Sequence, residues 1–234
     1  MALASANRRR FLALLGGAVT TSMLLSGCLG TPPSRRASSP QEPIQLNAKA
    51  ASQLETTGIS LGFVPILEAA PLVVGLEKGF FARHGLDVKL SKQSSWSAAR
   101  DNVLLGNAGG GIDGGQWQMP MPQMISEGAI TNGKKVPMVV LAMLMSQGNG
   151  IAAADSVKQA NLSANLKPEA GFFKQFQEKE GRKFRAAYTF PRANQDMWLR
   201  WWLAAGGVNP NTEVELLTVP TPETLQAMRN KSME

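Results

Sequence analysis

The chain has 234 residues, 44% hydrophobic and 18% charged, a balance that fits a soluble globular protein with enough apolar material for one large domain or two small ones. Its formal charge is +7, but three of those positive charges are Arg8, Arg9 and Arg10 in a segment without acidic residues, so the chain after residue 27 carries only +4 and nucleic acid is a poor partner. One cysteine, Cys28, excludes internal disulfides and cysteine-cluster metal sites, and one histidine, His84, removes most histidine-based catalysis.

The first elements in chain order are an address. Three arginines precede the apolar run Phe11 to Leu25 and then "LSGC", the layout of a secretory signal over residues 1–27. The run, at about 15 residues, is short for a membrane span, which needs about 20. Leu25-Ser26-Gly27-Cys28 has the form of a bacterial lipobox, in which the cysteine thiol is lipidated and becomes the mature N-terminus. Arg8 and Arg9 in "RRRFL" fit a twin-arginine export signal, and a general secretory signal with a basic start remains the alternative. Residues 28–57 are rich in Pro, Ser and Ala and read as the lipidated cysteine followed by a flexible tether.

The body reads as α/β. "GISLGFV" alternates Ile59, Leu61 and Phe63, and "LDVKL" alternates Leu86, Val88 and Leu90; both are strands. The helix between them, starting near Pro71, makes a βαβ unit with a parallel pair. "SSWSAARDNVLLG" offers Ser94 or Ser95 as a helix cap and Gly106 as the stop, and "VPMVVLAMLM" suits a buried strand. These elements form a first lobe over 58–147. A second α/β lobe follows over 148–234, with a helix around "PEAGFFKQFQEKEG", strands "KFRAAYTF" and "EVELLTV", and helices at "NQDMWLRWWLAAGG" and "TPETLQAMRN". With two clear strands, that lobe is expected to be incomplete.

Trp198, Trp201, Trp202 and Ala205 fall at i, i+3, i+4 and i+7, which predicts a core-facing stripe on a helix capped by Asn194. A membrane-interface belt would want lysines along the opposite face, and there are none. The start of this helix, at Asn194 and Gln195, is a place for an anion, because free N–H groups and partial positive charge gather at helix N-termini. Trp96 is either a core residue beside its cap or the flat floor of such a site. "GNAGGGIDGG" lacks the lysine-serine or lysine-threonine ending of a phosphate loop, so its glycines are expected to allow close backbone approach. Asp113 has no partner carboxylate nearby in sequence and reads as structural, as does His84 at a helix end. Met119, Met121 and Met124 with Pro120 and Pro122 read as packing at a turn.

The stretches "SWxxxRDN", "GGGIDG", "PMP" and "DMWLRWWLAAGG", in that order, resemble the nitrate- and bicarbonate-binding lipoproteins of bacterial, cyanobacterial-type, ABC importers. The resemblance implies a two-lobed periplasmic-binding fold closing on a small oxyanion, a lipid anchor on the periplasmic face of the plasma membrane, and delivery to a permease and its ATPase. It implies no cofactor and no catalysis. It also implies that the family pattern continues past the position matching Glu234. The family's site tryptophan falls on Trp96, its glutamine in "GQG" on Asn149, its histidine before "DMW" on Gln195, and a further histidine after "GIDG" on Gln116. All three positions are neutral amides here, and the two that replace histidines keep hydrogen-bonding capacity but lose any charge-assisted contact. The function expected is therefore a solute-binding lipoprotein for nitrate or nitrite first and bicarbonate second. The alternatives are a non-catalytic anion sensor that signals to a protein partner, and an enzyme of the related pyrimidine-precursor type, for which no spare nucleophile or base is evident.

Overall fold

The computed structural model describes residues 43–146 and 148–234, so Cys28 and the signal arginines Arg8 and Arg9 lie outside the described residues. A short helical turn, α1 (Ala48–Ala51), comes first, with the Asn47 side chain accepting the Ala50 N–H at 3.1 Å. The Asn47 N–H in turn donates to the Ala82 carbonyl at 2.9 Å, so the last part of the expected tether is docked on the body.

The first sheet grows from alternation and turn chemistry. Strand β1 (Gly58–Phe63) is followed by α2 (Ala70–Glu77), with Pro71 in its first turn, then α3 (Phe80–Arg83) and β2 (Asp87–Lys92). β1 and β2 pair in parallel from Gly58↔Asp87 to Phe63↔Lys92, as the βαβ pattern predicts. Helix α4 (Trp96–Leu105) starts where the Ser95 hydroxyl accepts the Ala98 N–H at 3.0 Å and stops at Gly106. A two-residue strand, β3 (Gly114–Gly115), joins the other edge of β1, giving the order β2-β1-β3. Close approach is what requires glycine there: a Cβ on Gly115 would lie 2.2 Å from the Gly62 carbonyl oxygen. Met121, fully buried, opens α5 (Met121–Ser126), in keeping with a packing role for the methionine-proline run.

The run "VPMVVLAMLM" does not form the buried strand its composition predicts. Val136 and Met138 pack on a small core with Val103, Ile112 and Ile125, but beyond them the described backbone joins no ladder and Leu141 is 91% exposed. The reason lies in the sheet: β1 has neighbours on both edges, and β3 is too short to present an edge for another long strand. Apolar composition makes a segment suitable for a strand, but ladder hydrogen bonds need a partner edge.

The second sheet comprises β4 (Phe184–Tyr188) and β5 (Val214–Thr218), parallel from Phe184↔Val214 to Tyr188↔Thr218. Helices α6 (Phe172–Glu180), α7 (Asn194–Ala205) and α8 (Thr224–Arg229) accompany it. Phe172, Phe173, Phe176 and Phe184 meet mostly edge-on at centroid spacings of 5.2–5.8 Å, an arrangement that stabilises aromatic clusters beyond area burial. The Glu234 N–H donates to the Arg185 carbonyl and its carboxylate accepts the Arg185 N–H at 2.9 Å, which occupies backbone groups of β4.

Two expectations about α7 are corrected. Its buried face is Asp196, Leu199 and Leu203, whereas Trp198 and Trp201 are 58% and 69% exposed and Trp202 is half-buried with its Nε1–H on the Ser163 carbonyl. Two apolar stripes overlap on this helix, and rotation is set by Asp196, whose buried carboxylate binds the Arg192 N–H at 2.7 Å. That contact turns Leu199 and Leu203 into the aromatic core, worth about 1.5–3 kcal/mol for each leucine side chain. Asn194 is also not the cap; the position before the helix is Ala193, without a side-chain cap.

The two sheets share packing. Phe190 and Ala193, from the β4–α7 connection, are buried in one cluster with Val64, Trp96 and Met121 from the first half of the chain.

Candidate functional site

An open cleft of about 1430 Å³, lined along β1 from Gly58 and by much of the run 137–149, takes in the start of α7 and the connections at the carboxyl ends of β1 and β3. In parallel α/β sheets this is where ligands sit, because helices begin there and side chains from several loops converge. The four residues singled out in the sequence, Trp96, Gln116, Asn149 and Gln195, all line this cleft. Trp96 is the first residue of α4, Gln116 follows β3 directly, Gln195 lies in the first turn of α7, and Asn149 comes from the exposed extended stretch.

Both readings of Trp96 are partly met. Its ring is 1% exposed within the shared cluster, so it is a core residue, yet it borders the cleft and its Nε1–H has no partner among the described residues. Gln116 is 5% exposed, with its Oε1 likewise unpartnered. Trp117 Nε1 and Gln118 Oε1 complete a group of buried polar atoms without described partners around the same cleft. Each such atom costs about 1–3 kcal/mol where nothing satisfies it, so their concentration here points to a polar ligand. Nε1–H can only donate, and the amide oxygens can only accept.

Glu68 and Asp113 are the charged residues among those lining the cleft; there is no lysine, arginine or histidine among them. An anion held here would rest on neutral donors. Asp113 is occupied structurally: its carboxylate accepts the Ser60 N–H at 2.8 Å, and its own N–H donates to the Ser60 carbonyl at 2.9 Å. His84 stands exposed just after α3, away from the cleft lining.

The start of α7 does not offer the free backbone donors expected of it. The Asn194 N–H donates to the Met119 carbonyl at 2.9 Å and the Gln195 N–H to the Asn194 Oδ1 at 2.9 Å. The Asp196 carboxylate sits in the same turn, bound to Arg192 and, at 2.6 Å, to Arg200. Burial lowers the Arg200 guanidinium's proton affinity, but the Asp196 hydrogen bond and charge outweigh it, so its pKa is raised. Asn194 and Gln195 line the cleft, with these two backbone N–H groups already engaged.

Sequence reasoning missed Gln118 and Thr189. Gln118 Nε2 donates to Thr189 Oγ at 2.9 Å, and the Thr189 hydroxyl donates to Gln195 Oε1. Gln118 had only its place shortly after β3, two positions past Gln116, to mark it. Thr189 had only its place after β4 to mark it.

A fold of parallel-stranded α/β layers with its cleft at the strand carboxyl ends is that of periplasmic binding proteins. The chain belongs to the NMT1-like family, whose pattern matches residues 52–234. It is 57% identical over 228 residues to the bicarbonate-binding protein CmpA of Synechococcus elongatus, covering 97% of this chain and 50% of that one. Among solved structures, the periplasmic nitrate-binding protein NrtA from Synechocystis PCC 6803 superposes with a TM-score of 0.71 at 39% identity, covering 77% of this chain and 46% of NrtA. Part of the bicarbonate transport ATP-binding protein CmpC of Synechocystis is 32% identical over 178 residues, which is 75% of this chain and 25% of CmpC. The chain thus spans about half the length of the CmpA and NrtA proteins it resembles.

Proposed function

We propose that this chain is a substrate-binding component of an ABC importer that takes a small oxyanion into the cleft between its two sheets and passes it to a permease with an ATPase. The observation that carries this reading is that Trp96, Gln116, Asn149 and Gln195 all line one cleft. CmpA is a bicarbonate-binding protein, NrtA a nitrate-binding protein and CmpC a bicarbonate transport ATP-binding protein, which supports a binding role over catalysis or sensing. Lipid anchoring through Cys28 at the periplasmic face of the plasma membrane, after export directed by the Arg8–Arg9 segment, belongs to the same proposal.

Hydrogen carbonate is the favoured ligand, ahead of nitrate or nitrite, reversing the order expected from sequence. Two observations support it. Identity to the bicarbonate-binding protein is 57%, against 39% to the nitrate-binding one. The unpartnered Gln116 Oε1 is an acceptor, and hydrogen carbonate carries an O–H to donate whereas nitrate has none. Calorimetric titration of the purified chain with hydrogen carbonate, nitrate, nitrite and sulfate tests the reading. Tightest binding of hydrogen carbonate supports it, and binding of nitrate in preference would reverse the assignment.

A further inference from the structure

We propose that Gln118 and Thr189 are positioning residues: together they form a hydrogen-bond relay that fixes the Gln195 carboxamide with its Nε2 available to the cleft, making Gln195 a donor there. A threonine hydroxyl has one proton to give. Gln118 Nε2 spends its own N–H on Thr189 Oγ at 2.9 Å, so the single Thr189 proton goes to Gln195 Oε1. The Gln195 oxygen is thereby engaged, and its Nε2 has no hydrogen-bond partner among the described residues.

The relay has a conceivable opposite polarity, in which Gln195 Nε2 donates to Thr189 and Thr189 to Gln118 Oε1. That state would turn the Gln195 oxygen to the cleft and make the residue an acceptor. Gln118, half-buried with its Oε1 out of reach of solvent, decides between them. In the observed polarity, the buried unpartnered atom is Gln118 Oε1, an acceptor. Reversal would satisfy that oxygen and instead strand the Gln118 NH₂ group, with its two donors, in the same buried place. Buried N–H groups without partners are rarer in folded proteins than under-satisfied carbonyl oxygens, so the observed polarity is the favoured one. Because Gln118 follows β3 and Thr189 follows β4, the orientation of Gln195 depends on how the two sheets are set against each other.

The effect on ligand rests on the cleft reading proposed above; the polarity itself does not. Side-chain amide NMR of the full ¹⁵N-labelled chain reads the polarity without ligand. Gln118 amide protons should be protected from solvent exchange and Gln195 protons should not, with protection of Gln118 lost in Thr189→Val and restored in Thr189→Ser. Protected Gln195 protons beside unprotected Gln118 protons would overturn the relay. In titrations with sodium hydrogen carbonate, Thr189→Val should weaken binding up to about tenfold, the scale of one hydrogen bond, with Thr189→Ser close to wild type. If Gln195→Ala weakens binding and Thr189→Val leaves it unchanged, the relay falls and the cleft reading stands. If Gln195→Ala itself has no effect, the cleft reading falls, and the relay is judged by amide exchange alone.

Discussion

The Asp196 carboxylate accepts the Arg192 amide proton at 2.7 Å, closing the turn that leads into α7 and setting the rotation of that helix. Arg192 itself has φ +64°, a left-handed conformation that a non-glycine residue holds only with local support. Asp196→Ala removes that support and takes from Arg200 its charged partner, leaving Asn211 and Tyr188 beside it. The expected loss is about 1.5–3 kcal/mol, the range for hydrogen bonds to a charged group, read as a lowered urea midpoint. Unchanged stability would mean that Asp196 does not set the helix.

The rotation makes an unusual contrast testable. Trp201→Ala, at a position 69% exposed, should change stability by about 0.5 kcal/mol or less, although tryptophan is the larger side chain. Leu203→Ala, two positions on and 1% exposed, should cost about 2–5 kcal/mol. The reverse ranking in denaturant melts would restore the tryptophan stripe as the core face.

Gly115→Ala should be poorly tolerated because the new methyl group would meet backbone and not a yielding side chain, 2.2 Å from the Gly62 oxygen. A cost of about 1–3 kcal/mol is expected from such overpacking, together with displacement of Gln116 next to it. Melting curves of the variant check the first effect, and anion titration checks the second.

Cys28→Ser should leave the precursor unprocessed or release the protein from membranes, as the lipobox reading requires. Fractionation and mass measurement of the N-terminus check it, and unaltered processing and membrane association would remove the anchor from the account.

Local signals in the sequence were sufficient where structure is made locally. Alternation at Ile59–Leu61–Phe63 marks β1, and the serine before Trp96 caps α4 as its chemistry predicts. They misled where a distant partner decides. The apolar run after Val136 carries a strand's composition but finds no edge, and the tryptophans of α7 share their helix with a second stripe that Asp196 selects. A family resemblance singled out Trp96, Gln116, Asn149 and Gln195, and all four line the cleft. Gln118 and Thr189, 71 positions apart, meet only once both sheets have formed, and no spacing rule links them.

The central claim is that Gln195 contacts an oxyanion in the cleft, and calorimetric titration of wild-type and Gln195→Ala protein with sodium hydrogen carbonate tests it most directly. Loss of one hydrogen bond to a charged ligand should cost about 1.5–3 kcal/mol, so the variant should bind about tenfold more weakly or worse while keeping its melting temperature. Equal affinity in the two proteins would contradict the account.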